Sequence, residues 1–156
     1  MISVDIPGTG TLELEYAVFD YNGTLAADGR ISSDIRKKLS ALADLLEIHI
    51  LTADTFGTVN KEINDPRINV TVIVPDAQAE QKRDHIQKLG PERTAAAGNG
   101  ANDVLMLSEG ALGICVIGKE GAYSGSLQAC DIAVASPLDA IDLFLNPDRI
   151  RATLRR

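Results

Sequence analysis

Short runs rich in β-branched residues alternate along this chain with amphipathic stretches, the rhythm of an α/β protein. "ISVDI" and "TLELEYAVFD" flank the turn "PGTG" and predict an N-terminal β-hairpin whose second arm runs on into a strand ending at Asp20. "TLAADGRIS" holds an Asp-Gly pair between short arms, a hairpin or flap just past that acid. Ser32 or Ser33 can cap a helix in which Ile35, Leu39, Leu42, Leu45 and Leu46 share one face. "EIHILT" predicts a strand, "FGTVNKEIN" a helix stopped before Pro66, and "INVTVIV" a further strand. "DAQAEQKRDHIQKLG" predicts a helix closed by Gly90, and "RTAAAG" a short strand that breaks at "GNGAND". Helix "DVLMLSEG", strand "ALGICVIG", helix "AYSGSLQA", strand "DIAVAS" and terminal helices follow.

Composition narrows the class. With 156 residues, 45% of them hydrophobic and 24% charged, the chain fits one globular domain, residues 1–156. No apolar run approaches the ~20 residues that span a bilayer, and "MISVDIPGTG" has no signal-peptide pattern, so a cytoplasmic protein without a membrane partner is expected. A net charge of −7 disfavours nucleic acid, whose phosphates call for clustered Lys and Arg. Cys115 and Cys130 lie in no CxxC pattern and are expected reduced and structural; His49 and His85 are far apart and receive no role. The basic ending "RIRATLRR" is expected to be a solvated helix end.

The candidate chemistry lies at strand ends. In open parallel sheets the ligand crevice forms at the carboxyl ends of strands. Four such places carry polar residues: Asp20, Thr52, the segment leading to Lys82, and Gly98-Asn99 with Asp103 just beyond. In "AVFDYNGTLAADGR" the apolar run ends on Asp20 before a glycine turn, with Asn22 beside it.

Taken in order, "DYNGTLA", "LTAD", the lysine of "EQKRDHIQKLG" and "GNGANDVLML" resemble the four motifs of the haloacid dehalogenase-like phosphohydrolases. In particular they resemble the phosphorylation domains of P-type ATPases, whose motifs read DKTGT, TGD, a lysine on a helix, and GDGxND. With no membrane span, the chain is similar to the soluble P-type ATPase group of that superfamily, over roughly Tyr16 to the C-terminus. The resemblance implies a three-layer, Rossmann-like α/β sandwich with a central parallel sheet. The short intervals from Asp20 to Thr52 and from Thr52 to Lys82 leave no room for a cap domain.

The implied activity is Mg²⁺-dependent phosphoryl transfer from a phosphorylated substrate. A phosphomonoester dianion repels an attacking carboxylate unless a cation and a fixed ammonium offset that repulsion. Asp20 is the expected nucleophile and a metal ligand, joined at Mg²⁺ by Asp103, Asn99 and the backbone carbonyl of Asn22, an all-oxygen set. Thr52 and Lys82 are expected to hold the phosphoryl group, with Gly23 letting backbone N–H groups approach it. Alone, Thr52 would read equally well as a helix cap, and Lys82 as a solvated surface residue.

Two departures stand out. Most phosphatases of the superfamily place a second Asp two residues after the nucleophile as general acid and base; Asn22 cannot transfer a proton, so turnover is expected to be slow. Asn99 replaces the first acid of the fourth motif and removes a charge from the metal site. These substitutions motivate an alternative, a non-catalytic or regulatory domain that binds Mg²⁺ and phosphate. A response-regulator receiver fits less well, because it lacks the Gly-Asn-Gly-x-Asn-Asp turn. Without a cap to exclude water, the chain is expected to self-associate as a homo-oligomer, with the hairpin near Asp28-Gly29 or a partner's surface covering the site.

Overall fold

A computed structural model describes residues 1–54 and 58–156. Six strands form one parallel sheet: β3 (Tyr16–Asp20), β4 (Glu47–Thr52), β5 (Ile68–Val72), β6 (Thr94–Gly98), β7 (Leu112–Val116) and β8 (Ile132–Val134), in the order β5-β4-β3-β6-β7-β8. Helices α1 (Ser33–Leu42), α6 (Pro137–Leu145) and α7 (Asp148–Leu154) build one face of the core. There Ile35 and Leu39 of α1 and Ile141 and Phe144 of α6 meet Phe19, Ile48 and Ile114; the rings of Phe19 and Phe144 pack edge-on at 6.1 Å. On the opposite face α3 (Gln78–Leu89) and α4 (Val104–Glu109) bring Ile86, Met106 and Leu107 onto Val18, Leu51 and Ala96. Burial on both faces is why the central strands read as continuous apolar runs rather than alternating ones. This is the expected three-layer arrangement, with β3 and β6 in the middle of the sheet.

The hairpin β1 (Ile2–Ile6) and β2 (Gly10–Leu14) is antiparallel and forms a sheet of its own. The expected continuity from its second arm into the strand ending at Asp20 is broken at Glu15. That residue's N–H donates to Arg93 O at 2.9 Å and its carbonyl accepts from Glu47 N at 3.0 Å, which turns the chain out of one ladder and into the other. The C-terminal arginines are not merely solvated: Arg151 Nε donates to Asp5 O at 2.9 Å and the Arg156 N–H to Pro7 O at 3.0 Å, clasping the hairpin.

Several boundaries moved. Helix α1 stops at Leu42, so Leu45 is exposed rather than part of its apolar face. Helix α3 begins at Gln78, after Ala77 in a left-handed conformation (φ 54°), and ends as expected at Gly90 (φ 101°). Of the helix expected over "FGTVNKEIN", α2 (Thr58–Glu62) is present, and its expected start lies outside the described residues. Ala27 and Arg30 exchange two backbone hydrogen bonds of 3.0 Å around Asp28-Gly29, both at positive φ, the flap suggested by the Asp-Gly pair. Short helix α5 (Ser124–Ala129) precedes β8. Among the described residues, no helix is long and apolar enough to cross a membrane.

The two histidines are in contact, although nothing in their spacing suggests it. His49 Nε2 lies 3.1 Å from Glu47 Oε1, and His85 Nε2 lies 3.1 Å from His49 Nδ1, a chain that ties α3 to β4. With Glu47 accepting from Nε2, His49 presents Nδ1 as an acceptor to His85 Nε2, an arrangement that two neutral rings satisfy. Burial, then His49 and Lys88, pull His85 down to about 4; burial also lowers His49, although Glu47 opposes it. The unfolded chain takes up these protons near pH 6.5 while the folded one resists. The pair's contribution to stability is therefore intact above about pH 6.5 and falls as the pH drops toward 4. Urea unfolding at pH 7.5 and pH 5 should show a larger loss for wild type than for His85→Gln.

Candidate active site

Asp20 ends the central strand β3, where the register pairs it with Leu51, so its carboxylate stands at the rim beside Thr52. It is 7% exposed. Its Oδ1 accepts from Lys82 Nζ at 2.6 Å and its Oδ2 from Thr24 Oγ1 at 3.0 Å. Lys82 reaches in from the second turn of α3 and is 1% exposed, against the usual solvated state of lysine. The same ammonium donates to Asp103 Oδ1 at 2.6 Å, so one cation lies between two buried carboxylates. Asp103 is enclosed, and its Oδ2 accepts the N–H groups of Asn99 and Gly100, both at 2.9 Å.

This cluster carries one more negative than positive charge. Burial, then the charge of Asp103, raise Asp20 to about 7, with Lys82 and Thr24 opposing. For Lys82, burial alone would favour the neutral amine, but the two carboxylates outweigh it and hold the ammonium above its usual range. Removing one partner from such a pair costs about 3–5 kcal/mol, because the other charge is left buried and unpaired.

Asn99 knits the loops together. Its Oδ1 accepts from Thr24 Oγ1 at 3.1 Å and its Nδ2 donates to Gly121 O at 3.1 Å, a combination that the carboxylate of an aspartate could not make. Thr24 has a single hydroxyl proton facing two acceptors, Asp20 and Asn99. Gly23 sits at φ 81°, and a Cβ there would come within 2.5 Å of the Asn99 amide, so the turn needs glycine on both counts. Gly98 is needed for a different reason: a Cβ would lie 2.5 Å from Asp103 Cβ.

The other expected residues are less engaged. Thr52 is buried, and its Oγ1 accepts from Asp54 N at 3.0 Å, the turn-capping arrangement that its place after a strand allows. Asn22 is exposed on the loop, its backbone bridged to Ala26. Thr24 was missed as a site residue, although a hydroxyl four positions after the acid in "DYNGT" was a usable signal.

The donor set bears on whether a metal fits. Among the described residues no three His, Cys, Asp or Glu side chains gather as a metal site. Around Asp20 the available atoms are oxygens, and a cation beside that carboxylate would meet the excess negative charge. Such a set suits a hard ion that keeps much of its water, as Mg²⁺ does.

No protein-family model matches the chain. Over 73 residues it is 47% identical to the uncharacterized protein MJ0073 of Methanocaldococcus jannaschii, covering 46% of this chain and 78% of that one. The two belong to one family. The chain is also 25% identical over 123 residues to a soluble P-type ATPase-like phosphatase of the same organism, covering 77% of this chain but 45% of that protein. Among solved structures, the cobalt-bound deoxy-D-mannose-octulosonate 8-phosphate phosphatase of Haemophilus influenzae superposes with a TM-score of 0.72 at 15% identity, covering 92% of this chain and 94% of that one. The corresponding phosphatase of Moraxella catarrhalis, in complex with magnesium, phosphate and the sugar acid, gives 0.72 at 17% identity, covering 91% and 94%. The fold of this family is therefore that of the haloacid dehalogenase superfamily, as the four motifs implied.

Proposed function

We propose that the chain hydrolyses phosphomonoesters through a phosphoryl group carried transiently on Asp20, with Mg²⁺ as its cation. The observation that carries this reading is Lys82 Nζ held 2.6 Å from Asp20 Oδ1 in a buried site, a fixed ammonium where carboxylate and phosphoryl oxygens must approach each other. The likeness to a P-type ATPase-like phosphatase and to a phosphatase complexed with magnesium and phosphate supports it.

On this reading an Asp20 oxygen attacks phosphorus and the bond to the leaving oxygen breaks. Water then attacks the phosphorus and releases Asp20 as carboxylate. Mg²⁺, when bound, supplies charge neutralisation, and Asp20, the Asn22 carbonyl and the Asn99 amide oxygen would hold it. Asp103, expected from sequence as a further ligand, would join them through a lone pair left beside its bonds to Lys82 and to the Asn99 and Gly100 N–H groups, and it also holds Lys82 in place. Thr52 would contact a phosphoryl oxygen, while the Gly23 N–H donates to Ala26 O at 2.8 Å, so Gly23 would serve the site by shaping the turn beside it. Asn22 offers no proton to the leaving group and accepts none from water, so turnover is slow.

A second reading, a non-catalytic domain that binds Mg²⁺ and phosphate, is favoured by Asn99, whose amide serves as a structural tie between Thr24 and Gly121. Turnover separates the two. Lys82→Met should lower the rate by ~10²-fold or more and destabilise the fold by about 3–5 kcal/mol, read by steady-state kinetics and urea unfolding. Unchanged turnover would remove Lys82 from the chemistry.

The chain is also proposed to self-associate. Val72 on edge strand β5, Val74 just beyond it, and Ile117, Tyr123 and Leu127 are exposed apolar side chains. Light scattering at working concentration should give a mass at least twice that of one chain; a monodisperse monomer would contradict this.

A further inference from the structure

A cavity of about 520 Å³ lies against the loop that follows Asp20, within the range of small-molecule sites. Gly23 and Thr24 form its wall on the catalytic side, and Thr24 is the residue whose hydroxyl bonds Asp20. Its floor is apolar: Leu25, Ala26, Ile31, Ile35 and Leu138. Its rim carries two exposed cations, Arg30 from the flap and Lys119 from the turn before α5. Neither forms an ion pair among the described residues, whereas Arg36, Arg67, Arg83, Arg93 and Arg151 all pair with acids. Glu120 also lines the cavity, but its Oε1 accepts the Asp28 N–H at 2.9 Å and ties the flap to the 118–121 turn. The rim is thus left with one positive charge in excess, on a chain of net charge −7.

A second cavity, of about 580 Å³, lies between α1 and the start of β5, at the opposite end of the sheet from Asp20. There Ser40 and Asp65, two of its polar lining groups, bond each other at 2.6 Å. It has neither unpaired cations nor a wall shared with the nucleophile loop.

We propose that the cavity beside Gly23 receives the leaving group of the phosphomonoester, and that this group has an apolar body ending in an anion that meets Arg30 and Lys119. The inference rests on the reading of Asp20 as the phosphoryl acceptor and names the substrate class for it. The apolar floor accounts for the body of the ligand, because burying it there removes apolar surface from water. The cations account for the distal anion through charge-assisted hydrogen bonds, which are stronger than neutral ones. The flap that follows the nucleophile loop thereby acts in specificity: the same turn that presents Arg30 is held by Glu120 against the far wall.

Calorimetry with two non-hydrolysable probes tests the proposal independently of turnover. Para-carboxybenzylphosphonate should bind at least ~10-fold tighter than benzylphosphonate in the presence of Mg²⁺. That advantage should vanish in Arg30→Gln/Lys119→Gln, which alters two exposed side chains without partners. Equal affinities in wild type, an advantage that survives in the double variant, or no binding of either probe would each overturn the proposal. The phosphatase reading fails separately, if phenyl phosphate is not hydrolysed or is hydrolysed equally by Asp20→Asn; a carboxylate preference in binding would survive that result.

Discussion

Asp20→Asn is expected to abolish Mg²⁺-dependent hydrolysis of p-nitrophenyl phosphate and to leave the chain folded and at least as stable as wild type. The substitution keeps the volume and a carbonyl oxygen that can still accept from Lys82, so packing around β3 is conserved. It removes the charge that reacts with phosphorus, and an amide oxygen is too weak a nucleophile to replace it. Stability should not suffer, because burial and Asp103 already disfavour the ionised Asp20, pushing it up to about 7. Lys82 retains Asp103 as its partner at 2.6 Å. Kinetics and thermal unfolding of one preparation check both halves; wild-type turnover in this variant would place the chemistry elsewhere.

Asn22→Asp is expected to act in the opposite direction. An acid two residues after the nucleophile would supply the proton for the leaving oxygen and a base for the water that follows, contributions typically of ~10²–10⁴-fold. Asn22 is exposed on its loop, so the carboxylate can be placed there without burial. With p-nitrophenyl phosphate the leaving group needs little protonation, so the gain should fall on release of the phosphoryl group by water. Rapid quenching should show phosphorylated wild type accumulating and the variant accumulating less. The added negative charge beside Asp20 works against attack and makes the net gain smaller than the full range. No accumulation in wild type and no gain in the variant would transfer weight to the non-catalytic reading.

What was legible in the sequence follows from how local each signal is. β3 and β6 could be read because strands buried on both faces appear as unbroken apolar runs, and Asp20 because an acid ends such a run. Lys82 was legible only as part of an ordered motif set; nothing in "EQKRDH" says that its ammonium is enclosed. Asp103 was identified as a site residue, but the bonding of both its oxygens depends on where the Asn99 and Gly100 amides turn, which spacing does not encode. Contacts across the fold were invisible for the same reason. His49 and His85 are 36 residues apart and meet only because α3 lies over β4 with Lys82 turned toward Asp20. The break at Glu15 was hidden by apolar alternation on both sides, and its cause is a hydrogen bond to Arg93 far along the chain.

The central claim is that Asp20 itself carries the phosphoryl group, and covalent capture tests it most directly. Wild-type protein mixed with Mg²⁺ and p-nitrophenyl phosphate, quenched in acid within milliseconds and digested, should yield one phosphoryl group on the peptide containing Asp20, labile to hydroxylamine as an acyl phosphate is. The same treatment of Asp20→Asn should yield none. Turnover in wild type with no phosphorylated peptide, or with the label on another residue, would contradict the account.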